Sequence, residues 1–124
     1  MAFAEPQFEL SEEDVDERTH VIAIAGEIHV STAPRFSLLL DDAIGRGKTA
    51  VVLDLSAVDF IDSTGLSVLL NGLRRVTRQR GRMALVCVNP TVLRLFEITR
   101  LDATFDIHAS RKDALSAVQS GPPG

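Results

Sequence analysis

Short unbroken runs of apolar residues alternate along this chain with stretches in which apolar residues recur at every third or fourth position. No other feature restricts the fold as strongly. Val21-Ile22-Ala23-Ile24-Ala25, Ala50-Val51-Val52-Leu53-Asp54-Leu55 and the segment from Arg82 to Val88 lack the polar alternation of a strand with one wet face. Runs this short and this apolar fit strands covered on both faces. Between them Ala33, Phe36, Leu39, Leu40, Ala43 and Ile44 keep helical spacing, and Leu66, Leu69, Leu70, Leu73 and Val76 form a stronger stripe. Strands and helices in alternation imply an α/β layer around a mixed, mostly parallel sheet.

Local signals mark the element ends. Phe8 and Leu10 alternate with polar neighbours and read as a short edge strand. The acidic run Ser11-Glu12-Glu13-Asp14-Val15-Asp16-Glu17 reads as a solvated turn in preference to a docking surface. Gly26 ends the second strand. Ser31-Thr32-Ala33-Pro34 places a hydroxyl cap and a first-turn proline at a helix start. Gly45 and Gly47 stop that helix, and Gly81 closes the next. Asn89-Pro90 opens a short helix carrying Val92, Leu93, Leu95 and Phe96. Thr104-Phe105-Asp106-Ile107 forms a last short strand, and Ser110 caps a final helix with Ala114, Leu115 and Val118 inward. The 124 residues make one domain by size, with about five strands, about four helices and a core from about 8 to 118. The stretch 119–124, ending Gly-Pro-Pro-Gly, cannot extend a helix and is expected to be disordered.

The charge balance narrows the partners. The chain has 17 Asp and Glu against 13 Lys and Arg, a net charge of −4. That is the wrong sign for direct nucleic-acid binding, which neutralises phosphates with basic side chains. A protein surface suits it better. Cys87 stands alone in an apolar run, so it packs as a small hydrophobe and the chain suits a reducing, cytoplasmic setting. No basic region followed by a long apolar run opens the sequence, so no signal peptide is expected. No run reaches the ~20 apolar residues of a membrane span, so no membrane insertion is expected.

Several catalytic patterns fail on inspection. Gly45-Arg46-Gly47-Lys48-Thr49 ends like a phosphate-binding loop, but Asp42 holds the place of the first Gly. The segment also runs from helix into strand, the reverse of what such a loop needs. His20, His29 and His108 are the only imidazole bases, and Ser63 lacks the Gly-x-Ser-x-Gly elbow. The His and Cys spacing matches no metal pattern, and each His is expected at the surface. No catalytic residue, metal or cofactor follows. Arg74, Arg75, Arg78, Arg80 and Arg82 read as a solvated helix end that complements the helix dipole, with a partner contact as the other reading.

One constellation remains. A buried strand from Val51 leads through Phe60-Ile61 into Asp62-Ser63-Thr64-Gly65, which opens the leucine-striped helix. Asp, Ser and Thr are good helix caps because their oxygens accept the unpaired first N–H groups. The same first turn is a good site for a phosphate, since free N–H donors and the positive end of the dipole meet there.

Leu53-Asp54-Leu55 followed by Phe60-Ile61-Asp62-Ser63-Thr64-Gly65-Leu66 resembles the signature of STAS domains in bacterial anti-sigma-factor antagonists. Gly26-Glu27-Ile28 resembles the loop after that family's second strand. Cys87-Val88-Asn89-Pro90 and Leu95-Phe96-Glu97-Ile98-Thr99 resemble the segment after its fourth. The likeness runs from about Phe8 to Val118 and keeps the order of elements. It implies a non-enzymatic switch phosphorylated on Ser63, with Thr64 as the lesser candidate and Asp62 and Gly65 completing the tetrad. It also implies a partner that is both an anti-sigma factor and a serine kinase, and a phosphatase that resets the cycle. The expected contact surface comprises Asp62, Ser63, Thr64, Gly65, Ser67, Val68, Asn71, Gly72 and His29. At His29 the family usually carries Asp, so kinase recognition is altered there, the phosphate's repulsion is eased, or the switch is lost. Three other readings stand beside this one. One is a constitutive STAS binding subunit of a transporter, lipid-transport or stress-signalling complex. Another is a small serine-dependent enzyme. The third is a small-molecule or nucleotide sensor, for which no specific residues stand out in the sequence.

Overall fold

The computed structural model describes residues 8–119. Its elements follow the apolar pattern in the order β1 (Phe8–Asp14), β2 (Thr19–Ile28), α1 (Ala33–Gly45), β3 (Ala50–Ile61), α2 (Ser63–Arg78), β4 (Arg82–Val86), α3 (Pro90–Ile98), β5 (Asp106–His108) and α4 (Arg111–Gln119). A single 3₁₀ turn, Leu101–Ala103, precedes β5. The sheet runs β1-β2-β3-β4-β5. β1 is antiparallel to β2, and the other pairs are parallel. Parallel neighbours need long crossovers, and α1, α2 and α3 supply them. The expected α/β layer with a mixed, mostly parallel sheet is thus present.

Strand pleating sends alternate side chains to opposite faces. One face carries Ile22, Ile24, Leu53, Leu55 and Leu85, packed with Phe36, Leu40, Leu69 and Phe96 from α1 to α3. Each such buried side chain contributes about 1.5–3 kcal/mol relative to leaving it exposed. The other face is covered in part, where Val21, Val52, Ala84 and Val86 lie under Ala114 and Val118 of α4. Cys87 is buried and free, as its apolar run implied. No helix among the described residues is long and apolar enough to cross a membrane.

Long-range pairing overrides several local signals. The acidic run is not a turn from Ser11 onward: β1 continues through it, and Asp14 pairs with His20. His20 is not at the surface but only 2% exposed. Its Nδ1 lies 2.6 Å from Asp14 Oδ1 and its Nε2 3.2 Å from Glu12 Oε1. Gly26 does not end β2. It adopts φ 101° at a break in register, a conformation open to glycine, and the strand runs on to Ile28. β3 likewise extends past Leu55 to Ile61, whereas β4 stops at Val86. Thr32 makes no side-chain cap bond for α1. Its hydroxyl donates instead to Glu27 O at 2.7 Å and accepts from His29 N at 2.9 Å, bracing the loop. Leu70 and Leu73 are only partly buried. Lys48 is no phosphate ligand: it is buried, donates to Asp16 O at 2.8 Å and pairs with Asp14 at 3.2 Å. Gln119, expected to begin a disordered tail, ends α4, and residues 120–124 lie outside the described residues.

Candidate functional site

β3 delivers the chain to α2 at the rim where the parallel strands end. Asp62 keeps an extended backbone (φ −102°, ψ −174°) and caps the helix, its Oδ1 accepting from Gly65 N at 3.0 Å. That bond satisfies one of the unpaired amides of the first turn. Ser63 is the first helical residue and is exposed. Its carbonyl accepts from Ser67 Oγ at 3.0 Å. Its hydroxyl enters no hydrogen bond among the described residues. Thr64 beside it is half-buried. The backbone can settle this low on the sheet because residue 65 lacks a side chain. A β-carbon there would lie 2.6 Å from Ile61 Cγ1 and 2.7 Å from Ile28 Cγ2.

The end of β2 lies alongside. Ile28 pairs with Ile61, and Asp62 N donates to Ile28 O at 3.0 Å. The turn that begins at His29 therefore sits next to the start of α2. His29 Nδ1 accepts from Ser31 N at 3.1 Å, which leaves Nε2 as the ring's donor. Nε2 is 3.9 Å from Glu27 Oε1. After β4, Asn89 caps α3 through Thr91 N and donates to Val58 O at 3.4 Å, tying a third loop to this rim. Val30, Phe60 and Val88 are exposed by 69%, 47% and 49% on or just after the ends of β2, β3 and β4. Sequence reasoning missed these three. The available signal was an apolar residue near the end of each run, where strand and loop cannot be told apart from sequence.

The structure separates the expected contact residues into two groups. Ser63, Ser67 and Asn71 are exposed and follow one another at intervals of four along α2, so they share a face. Asp62, Thr64 and His29 flank its start and are partly exposed. Val68 is half-buried and packs against the core. Gly65 and Gly72 are corrected outright: both are buried, Gly72 where a β-carbon would come 2.5 Å from Leu40 Cδ2 of α1. They permit close packing and offer no contact surface. Asp54 of the signature is also elsewhere. On the opposite sheet face it accepts from Arg111 Nη2 at 2.8 Å and Nε at 3.1 Å, fastening α4 to β3.

An α/β layer with a capped, exposed serine at the rim of its parallel strands is the architecture of a STAS domain. Residues 12–114 match the STAS domain family, and the chain belongs to it. It is similar to the anti-sigma-F factor antagonist RsfB of Mycobacterium tuberculosis, with 32% identity over 101 residues and 82% of each chain covered. It resembles the crystal structure of an anti-sigma factor antagonist from Mycobacterium paratuberculosis with a TM-score of 0.84 and 32% identity, covering 94% of this chain and 97% of that one. The anti-sigma factor antagonist SpoIIAA in its unphosphorylated form gives a TM-score of 0.77 at 25% identity, covering 91% and 96% of the two chains.

Proposed function

We propose that this protein is an anti-sigma-factor antagonist, a binding protein without turnover that is switched off by phosphorylation of Ser63. The observation that carries this reading is the Ser63 hydroxyl, exposed and unengaged on the first turn of a helix at the strand rim. The relatives named as antagonists of anti-sigma factors support it. So does the neighbour described as an unphosphorylated form.

The unmodified surface offers a partner Ser63, Thr64, Ser67 and Asn71, with exposed Val30, Phe60 and Val88 beside them. The partner is an anti-sigma factor that is also an ATP-dependent serine kinase, and it releases its sigma factor on docking. Phosphorylation adds about −1.5 to −2 charges at Ser63. The first-turn amides tolerate that charge in the free protein. A partner closing over it does not, with Asp62 already negative at the same turn. A poorly compensated buried charge costs several kcal/mol, and even ~3 kcal/mol weakens binding by more than about a hundredfold. A phosphatase then restores the binding form. His29, in place of the family's usual Asp, keeps a further carboxylate away from the modified serine.

The test uses the anti-sigma factor kinase of the source organism. With ATP, intact mass and peptide mapping are expected to show a single phosphate, on Ser63. Ser63→Ala is expected to bind but take no phosphate, and Ser63→Asp to bind at least about a hundredfold more weakly. Unchanged affinity in Ser63→Asp, with circular dichroism intact, would overturn the switch.

A further inference from the structure

The opposite pole of the sheet holds a second feature that the Ser63 switch does not use. Thr19, Ala50 and Arg82 are the first residues of β2, β3 and β4, so their surroundings lie at the end of the parallel strands away from α2's start. There Arg18, Thr19, Thr49, Arg80, Gly81 and Arg82 line a cavity of about 270 Å³, closed on one side by Val118 and Gln119 of α4. That volume sits just below the usual range for small-ligand pockets, which points to a small occupant.

The charge in this cavity is unbalanced. Asp16 is its one carboxylate, and Asp16 Oδ1 already accepts from the amides of Arg18 at 2.9 Å and Thr19 at 2.8 Å. Arg82 Nη1 reaches only Ala117 O among the described residues, at 3.4 Å. Among the described residues the guanidinium groups of Arg18 and Arg80 enter no ion pair and no hydrogen bond. Elsewhere the same chain pairs Arg46 with Asp42, Arg75 with Asp41 and Arg111 with Asp54. Among the described residues Arg74, Arg78, Arg94 and Arg100 also stand outside any ion pair, so what sets Arg18, Arg80 and Arg82 apart is that the three line one cavity.

Arg80 adds a backbone argument. It follows the end of α2 with φ 61°, a left-handed position where glycine or asparagine is usual. Strain retained at an exposed arginine points to a use for the side chain. Arg100 has the same φ after α3, so strain alone does not single out Arg80; its place in the cavity wall does.

We propose that this pocket binds a small phosphorylated molecule through the guanidinium groups of Arg18, Arg80 and Arg82. Guanidinium forks match phosphoryl oxygens in geometry as well as charge. The pocket is remote from Ser63, so the proposal stands whether or not that serine is the switch.

Inorganic pyrophosphate is the probe, titrated calorimetrically into the full chain at constant ionic strength in buffer free of divalent cations. One saturable site is expected. Arg80→Gly removes a guanidinium while relieving the left-handed backbone, so this variant keeps its fold, and it is expected to bind about tenfold more weakly. Arg18→Gln is expected to weaken binding to a similar degree. Heats that never saturate, or affinities unchanged in both variants, would reduce the effect to general salt screening and overturn the proposal.

Discussion

Adding one methyl group at Gly65 brings a β-carbon within 2.6 Å of Ile61 Cγ1 and 2.7 Å of Ile28 Cγ2. Both neighbours are β-branched and stiff at χ1, and both are buried. At Gly72 the nearest atom is the far end of Leu40, at 2.5 Å, with the flexible Met83 Cε at 3.1 Å. The two glycines look alike in sequence, but their neighbours differ in how far they can yield. Gly65→Ala is expected to lose about 1–3 kcal/mol by overpacking. Gly72→Ala gains about 1 kcal/mol of helix propensity, offsetting most of its clash, and should stay within about 1 kcal/mol of the parent. Urea denaturation distinguishes them, and a larger loss at Gly72 would mean that α1 cannot adjust over α2.

At the scale of the element, α2 owes its start to Asp62 and its seat to Leu66, Leu69 and Val76. The cap bond to Gly65 N fixes where the helix begins, and so keeps Ser63 at the first position with its hydroxyl outward. Asp62→Ala is expected to cost about 1 kcal/mol, read as a lower thermal midpoint. Asp62→Asn keeps an acceptor and should recover most of the loss. Equal losses in the two variants would show that the carboxylate's charge, acting on the helix dipole, matters more than the cap geometry. β1 shows a different logic. Its acidic sequence has poor strand propensity, yet Asp14 and Glu12 close on buried His20, and Asp14 also meets Lys48. Carboxylates placed within hydrogen-bonding distance of a buried ring make a strand of what reads locally as a turn.

For the molecule as a whole, α4 is the element that covers the second sheet face, and Asp54 ties it down. Burial works to raise the Asp54 pKa, but hydrogen bonds from the Ser56 hydroxyl and amide and from Arg111 outweigh it. The carboxyl is thereby held below its ordinary value. Asp14 is shifted the same way by His20 and Lys48, and Asp16 by the Arg18 and Thr19 donors. A depressed native pKa means that the unfolded chain takes up the proton more readily than the folded one. The stability from Asp54 is therefore present in full above the ordinary carboxylate range, at about pH 4, and is lost as pH falls through the native value. Unfolding free energy measured down an acid series is expected to drop below about pH 4, and more gently in Asp54→Asn. An identical slope in that variant would show that the Asp54 carboxyl, with its Ser56 and Arg111 donors, contributes nothing to acid sensitivity.

By itself the sequence determined the order of strands and helices, the mostly parallel sheet and the place of Asp62-Ser63-Thr64-Gly65 at a helix start. These depend on apolar periodicity and capping chemistry, which act over a few residues and can be read where they stand. The tertiary structure alone decided that His20 is buried, that Gly65 and Gly72 face inward, and that Asp54 serves α4 rather than the serine. It also decided that Arg18, Arg80 and Arg82 meet in one cavity. The physical reason is distance along the chain. Asp14 finds His20 through antiparallel register, and Arg111 finds Asp54 across 57 positions. The arginine cavity forms only when the starts of β2, β3 and β4 are laid side by side.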